Sequence, residues 1–223
     1  MCFSSTASFT SASLLLVVGG LALSQRPKRR EVAYALIPVL FGLQQLLEGL
    51  IWLDFQGQLF AISCFSEGAL VQSYSLFSQV FWPIFVPLAV VLLEDISWRR
   101  KCISICAFMG LTVGMFLLAA MAQRPVTARL VAQHIAYDFD HTHVVIASLL
   151  YLIGACAAPL LSSHRPVRLF GFAAIVSLLI SYLIYATWFI SVWCYFSGLM
   201  SCVVLLYFFR VEVRRSNLDW WHP

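Results

Sequence analysis

A glutamate stands within one of the most apolar stretches of this 223-residue chain: Glu48, in the run FGLQQLLEGLIWL. Gln45, Glu48 and Trp52 follow i, i+3, i+7 spacing, so a helix places them on one face. A carboxylate there costs a few kcal/mol to insert into lipid unless it is paired, protonated or hydrated. Ligand binding or proton handling is the chemistry expected of it, with satisfaction by neighbouring hydroxyls as the plainer alternative. Downstream, Gln72, Ser75, Gln79 and Trp82 share one expected helical face ahead of Pro83 and Pro87. Carbonyls freed by those prolines would add acceptors.

The segment QRPVTARLVAQHIAYDFDHTH carries His134, Asp138 and His141 at i, i+4, i+7, with Asp140 and His143 beside them. Imidazole and carboxylate converging from one helical face is what zinc or copper binding needs. No HExxH or CxxC pattern accompanies them, and a solvated loop with interfacial histidines is the alternative. Cys2, Cys64 and Cys194 form a second group, with Cys64–Cys194 the open choice for a disulfide. Without Met1, Cys2 would offer an amine and a thiolate together. Cys102, Cys106, Cys156 and Cys202 read as small apolar residues. Stripes of Ser4, Ser8 and Ser11, and of Cys194, Ser197 and Ser201, suit close helix packing.

These groups need elements to position them, and composition says which. Hydrophobic residues make up 61% and charged residues 11% of the chain, against about 25% charged in soluble domains. A soluble fold of this length could not hide so much apolar surface. The expected class is an all-α membrane helix bundle, one domain over residues 1–223. Apolar runs long enough to cross a bilayer fall at 7–24, 32–53, 69–93, 102–122, 143–163, 168–188 and 191–210. The last two divide one continuous stretch, with a hairpin expected near Thr187–Val192.

Lys and Arg set the orientation. With the N-terminus outside and the C-terminus cytoplasmic, all of the 14 basic residues except Arg124 and Arg129 fall inside. Seven helices produce this alternation and six would spoil it. A cleaved signal peptide does not fit residues 1–24, because no positive charge precedes them and RPKRR follows. The expected place is the inner (plasma) membrane, multi-pass, with the lipid bilayer as partner and DWWHP as an interfacial anchor. The net charge of +4 sits in short blocks between apolar runs, which does not suggest nucleic acid.

The opening MCFSSTASF, FGLQQLLEGLIWL, QVFWPIFVPLAVVLLE, QHIAYDF and FISVWCYF together resemble a family of uncharacterised bacterial membrane proteins that begin MCFS. The resemblance spans nearly the whole chain. It implies a multi-helix inner-membrane protein and no known activity. Its motif positions here are Cys2, Phe3, Ser4, Gln45, Glu48, Trp52, Trp82, Pro83, Glu94, His134, Tyr137, Trp193 and Cys194. His141 and His143 stand outside that pattern.

The orientation puts Cys2, Glu48, Trp52, His134, Trp193 and Cys194 on the outer side. The leading expectation is therefore an extracytoplasmic pocket for a metal ion or small ligand. Cys2, Glu48, His134 and Cys194 would hold copper or zinc, and Gln45, Glu48, Trp52, Gln79, Trp82, Tyr137 and Trp193 would line the pocket. One alternative is an enzyme acting on a lipid-linked substrate, with Cys2 as nucleophile, His134 as base and Glu48 as acid. Another is a non-catalytic receptor, transporter or assembly subunit. A rhodopsin is excluded, since the seventh run has no lysine.

Overall fold

The computed structural model describes residues 4–58, 67–131, 134–139, 142–184 and 188–209. Among the described residues seven apolar helices form, in keeping with the hydropathy pattern. We label them α1 (Ser5–Ser24), α2 (Val32–Phe55), α3 (Gly68–Leu93), α4 (Ser97–Gln123), α5 (Val144–Leu160), α6 (Arg165–Ile184) and α7 (Ser191–Phe209). All except α5 are long and apolar enough to cross a membrane. Ser4 opens α1 by accepting a hydrogen bond from the Ala7 amide at 3.2 Å. Leu36 interrupts α2 two residues before Pro38, which has no N–H to return to the preceding turn. In the last apolar stretch, described helix runs to Ile184 and again from Phe189, ahead of the α7 span, and Thr187 of the expected hairpin lies outside the described residues.

The segment between α4 and α5 departs from the helical expectation. It forms a hairpin of β1 (Thr127–Val131) and β2 (His134–Asp138), with Thr127 opposite Asp138 and Val131 opposite His134. Along a strand, His134 and Asp138 stand roughly 13 Å apart. On a helix the same spacing would bring their Cβ atoms to about 5–6 Å. Asp138 pairs instead with Arg129 across the hairpin at 3.3 Å. The i, i+4 spacing misled because Ile135 and Tyr137 alternate with His134 and Asp138, a pattern that also suits a strand. His141 lies outside the described residues, and His143 is exposed just ahead of α5.

Two wide, π-type turns interrupt α3 at Leu76–Phe81 and α5 at Ile153–Ala157. Between them α4 passes very close. A Cβ at Gly110 would collide with the Pro83 carbonyl oxygen, and one at Gly154 would stand 2.8 Å from it. Only glycine lets three backbones meet here.

Contacts sort into the two ends of the bundle. At one end, Glu94 accepts hydrogen bonds from the Ser163 amide at 2.7 Å, the Ser162 hydroxyl at 3.1 Å and the Ile96 amide at 3.1 Å. Arg99 donates to the Leu161 carbonyl, Arg30 meets Asp95, and Tyr207 donates to Glu31. At the other end, Gln72 donates to the Val126 carbonyl at 2.7 Å, and His134 meets Trp188 edge-on at 4.7 Å. This alternation is what an up-and-down bundle produces.

Candidate functional site

A buried polar cluster crosses the bundle from α1 to α7. Ser11 donates to Gln45 Oε1 at 3.3 Å, and Gln45 Nε2 donates to Glu48 Oε2 at 3.2 Å. Ser191 donates to Glu48 Oε1 at 2.9 Å. Gln45 and Glu48 are fully buried, and Ser11 and Ser191 nearly so. Neighbouring Gln44 accepts a hydrogen bond from the Trp82 indole at 2.6 Å, while Trp82 stacks on Phe41 with centroids 3.7 Å apart. The Cys194 thiol is free and buried; Gln44, Tyr74 and Glu48 are its polar neighbours.

Cys194 also lines a cavity of about 370 Å³ lying between the hairpin and α3 to α7. Ser78, Gln79, Tyr137, Asp138, Ser148 and Tyr151 supply its polar lining. Tyr151 donates to the Ser78 carbonyl at 2.7 Å, and Trp193 donates to the Ala174 carbonyl at 3.1 Å. Trp193 stacks on Phe189 at 5.8 Å and takes the edge of Tyr151 at 5.6 Å. Tyr137 stacks on Tyr74 at 4.6 Å. Two aromatic groups, Tyr137 with Tyr74 and Tyr151 with Trp193 and Phe189, thus border the cavity, with Cys194 between it and the Glu48 cluster.

A family model matches residues 1–219, and its description is a family of unknown function (DUF6629). The chain belongs to that family. That description names no activity. No curated protein and no solved structure matches the chain.

The expected residues of this DUF6629 chain divide into two linked groups. Gln45, Glu48 and Cys194 meet in the buried cluster, with Trp82 joined through Gln44. Gln79, Tyr137, Trp193 and Cys194 meet in the cavity. Trp52 is buried in the core, and His134 is half-buried against Trp188. Gln72, Ser75, Gln79 and Trp82 do not keep one face. The wide turn at Leu76–Phe81 shifts the phase between them, sending Gln79 to the cavity and Trp82 to Gln44. The free thiol of Cys194 replaces the expected disulfide, and Cys2, Phe3 and Cys64 lie outside the described residues. Among the described residues no group of three or more His, Cys, Asp or Glu is placed to hold a metal ion.

Sequence reading missed Gln44, Tyr74, Ser78, Tyr151 and Ser191. Tyr151 carried a usable signal, a lone phenol in the apolar run VVIASLLYLIGACA. Gln44 was overshadowed by its neighbour Gln45, which shares the Glu48 face.

Proposed function

We propose that this chain is a seven-helix protein of the inner (plasma) membrane, with its N-terminus outside, and that it binds a small ligand in the outer cavity. The observation that carries this reading is the cavity of about 370 Å³ with its aromatic and polar lining, within the size range of small-molecule sites. The membrane placement is supported by the exposure of Leu183, Val145 and Phe108, apolar side chains that lipid covers well and water does not. The orientation is supported by the basic residues clustered at the end that holds Glu94. α5 has 17 residues; at 1.5 Å per residue it reaches roughly 25 Å, close to the hydrocarbon thickness. The copper or zinc set of Cys2, Glu48, His134 and Cys194 rests on the sequence alone, and the cavity reading stands without it.

Cysteine accessibility tests the proposal. Ser148 is exposed and lines the cavity. Ser148→Cys should react with a membrane-impermeant methanethiosulfonate added outside intact spheroplasts, because thiolates form readily only in water. A cysteine at Lys101 should react only after lysis. Protection of both positions until lysis would defeat the outer-cavity reading.

A further inference from the structure

Three of the polar hydrogens around the cavity are committed elsewhere, while Gln79 and Ser148 offer only neutral groups. The Tyr151 hydroxyl is spent on the Ser78 carbonyl, the Trp193 indole N–H on Ala174, and the Ser78 hydroxyl on the Ser75 carbonyl. Among the described residues no Lys, Arg or His lines the space, and Asp138 is the one charged side chain that does. An anion would find no positive charge among these lining residues. Five aromatic rings also line the cavity: Tyr137, Phe139, Tyr151, Phe189 and Trp193. Ring faces carry negative potential, and a cation within about 6 Å of a ring centroid is attracted to it.

We infer that the outer cavity takes an organic ammonium cation, held against the rings of Tyr137, Tyr151 and Trp193 and drawn in by Asp138. This names the ligand class of the pocket proposed above and rests on that reading. Arg129 competes for Asp138 at 3.3 Å, but their side chains are 69% and 58% exposed, so solvent screens the pair. The carboxylate therefore remains open to a ligand at the rim of the cavity. Aromatic faces together with one carboxylate select a positive, weakly hydrated head over a neutral one of the same shape.

The test compares choline with 3,3-dimethylbutan-1-ol, which has carbon in place of the ammonium nitrogen. Binding of each to the full chain in dodecyl maltoside, an uncharged detergent, is followed by saturation-transfer NMR titration. Choline should bind at least about ten-fold more tightly than the alcohol. Asp138→Asn should cut that advantage roughly three-fold, and Arg129→Ala should tighten choline binding. Both changes are on exposed side chains and should leave the helical circular dichroism unchanged. Trp193→Leu should abolish the preference; Tyr137→Leu serves if that variant does not fold. Equal binding of the two probes, or binding of neither, overturns the ammonium assignment. A choline advantage untouched by Asp138→Asn overturns the role given to Asp138. Failure of the pocket itself is read separately, from the Ser148→Cys labelling.

Discussion

The Tyr151 hydroxyl donates to the Ser78 carbonyl at 2.7 Å. Pro83, five residues further along α3, would face that carbonyl in the wide-turn pattern but has no N–H to give. A side chain from α5 thus completes the backbone of α3 at the edge of the cavity. Tyr151→Phe should lower stability by about 1–2 kcal/mol, since the carbonyl is left in an apolar setting. Pro83→Ala restores an amide at that position, so Tyr151→Phe should cost less in its background. Thermal unfolding of the four proteins of this double-mutant cycle, followed by tryptophan fluorescence, measures the coupling.

The meeting of α3, α4 and α5 depends on two glycines. Gly110→Ala should destabilise by roughly 2–3 kcal/mol or more, because its methyl group meets the Pro83 backbone and not a flexible side chain. Gly154→Ala should act in the same direction, with its Cβ 2.8 Å from the same oxygen. Gly20 is the control: nothing lies within 4 Å of a Cβ there. Gly20→Ala should be neutral or gain about 0.5–1 kcal/mol from helix propensity. Unfolding temperatures in one detergent should rank these variants in that order.

Glu48 receives hydrogen bonds from two helices, Gln45 on its own and Ser191 on α7. Glu48→Ala should cost roughly 3 kcal/mol by opening a void and stranding both donors. Glu48→Gln keeps the volume and one acceptor oxygen, so its cost should fall between Glu48→Ala and wild type. Ser191→Ala removes one donor alone and should cost about 1 kcal/mol. Chemical denaturation in mixed micelles orders the three. Equal losses for Glu48→Gln and Glu48→Ala would mean that volume and hydrogen bonding are not what the site provides.

Glu94 gives a pH dependence. Burial alone would raise its carboxyl, but hydrogen bonds from Ser163, Ile96 and Ser162 outweigh that and hold it below the ordinary value of 4.5. A folded-state pKa below the unfolded one stabilises fully above the unfolded value, and the contribution is lost as pH falls through the lowered one. Stability should therefore decline below about pH 4.5 as this carboxylate takes up a proton. Glu94→Gln should be less stable at pH 7 and show a shallower decline on acidification. Melting temperatures between pH 7 and pH 3 compare the two proteins.

Much of the architecture is legible in the residue order, because apolar runs near bilayer length and the placement of Lys and Arg are local properties. They determine seven helices and make Glu48, Trp82, Trp193 and Cys194 polar or aromatic groups worth following, while Tyr137 comes from the family resemblance. The hairpin was not legible: His134 and Asp138 satisfy helical spacing and strand alternation alike, and pairing with Thr127–Val131 decides between them. Gln79 and Trp82 were assigned one face by a helical count, but the wide turn between them breaks the count. Within that turn the Ser78 carbonyl is met by Tyr151, 73 positions away in the chain. The same holds for Cys194 beside Gln44 and for Ser191 on Glu48, 143 positions away. Sequence periodicity tells which face of a helix avoids lipid, whereas the side chains that meet there depend on how separate helices pack. The sequence by itself determined the bundle and its polar residues. Tertiary structure alone decided that those residues form one buried cluster and one cavity joined at Cys194.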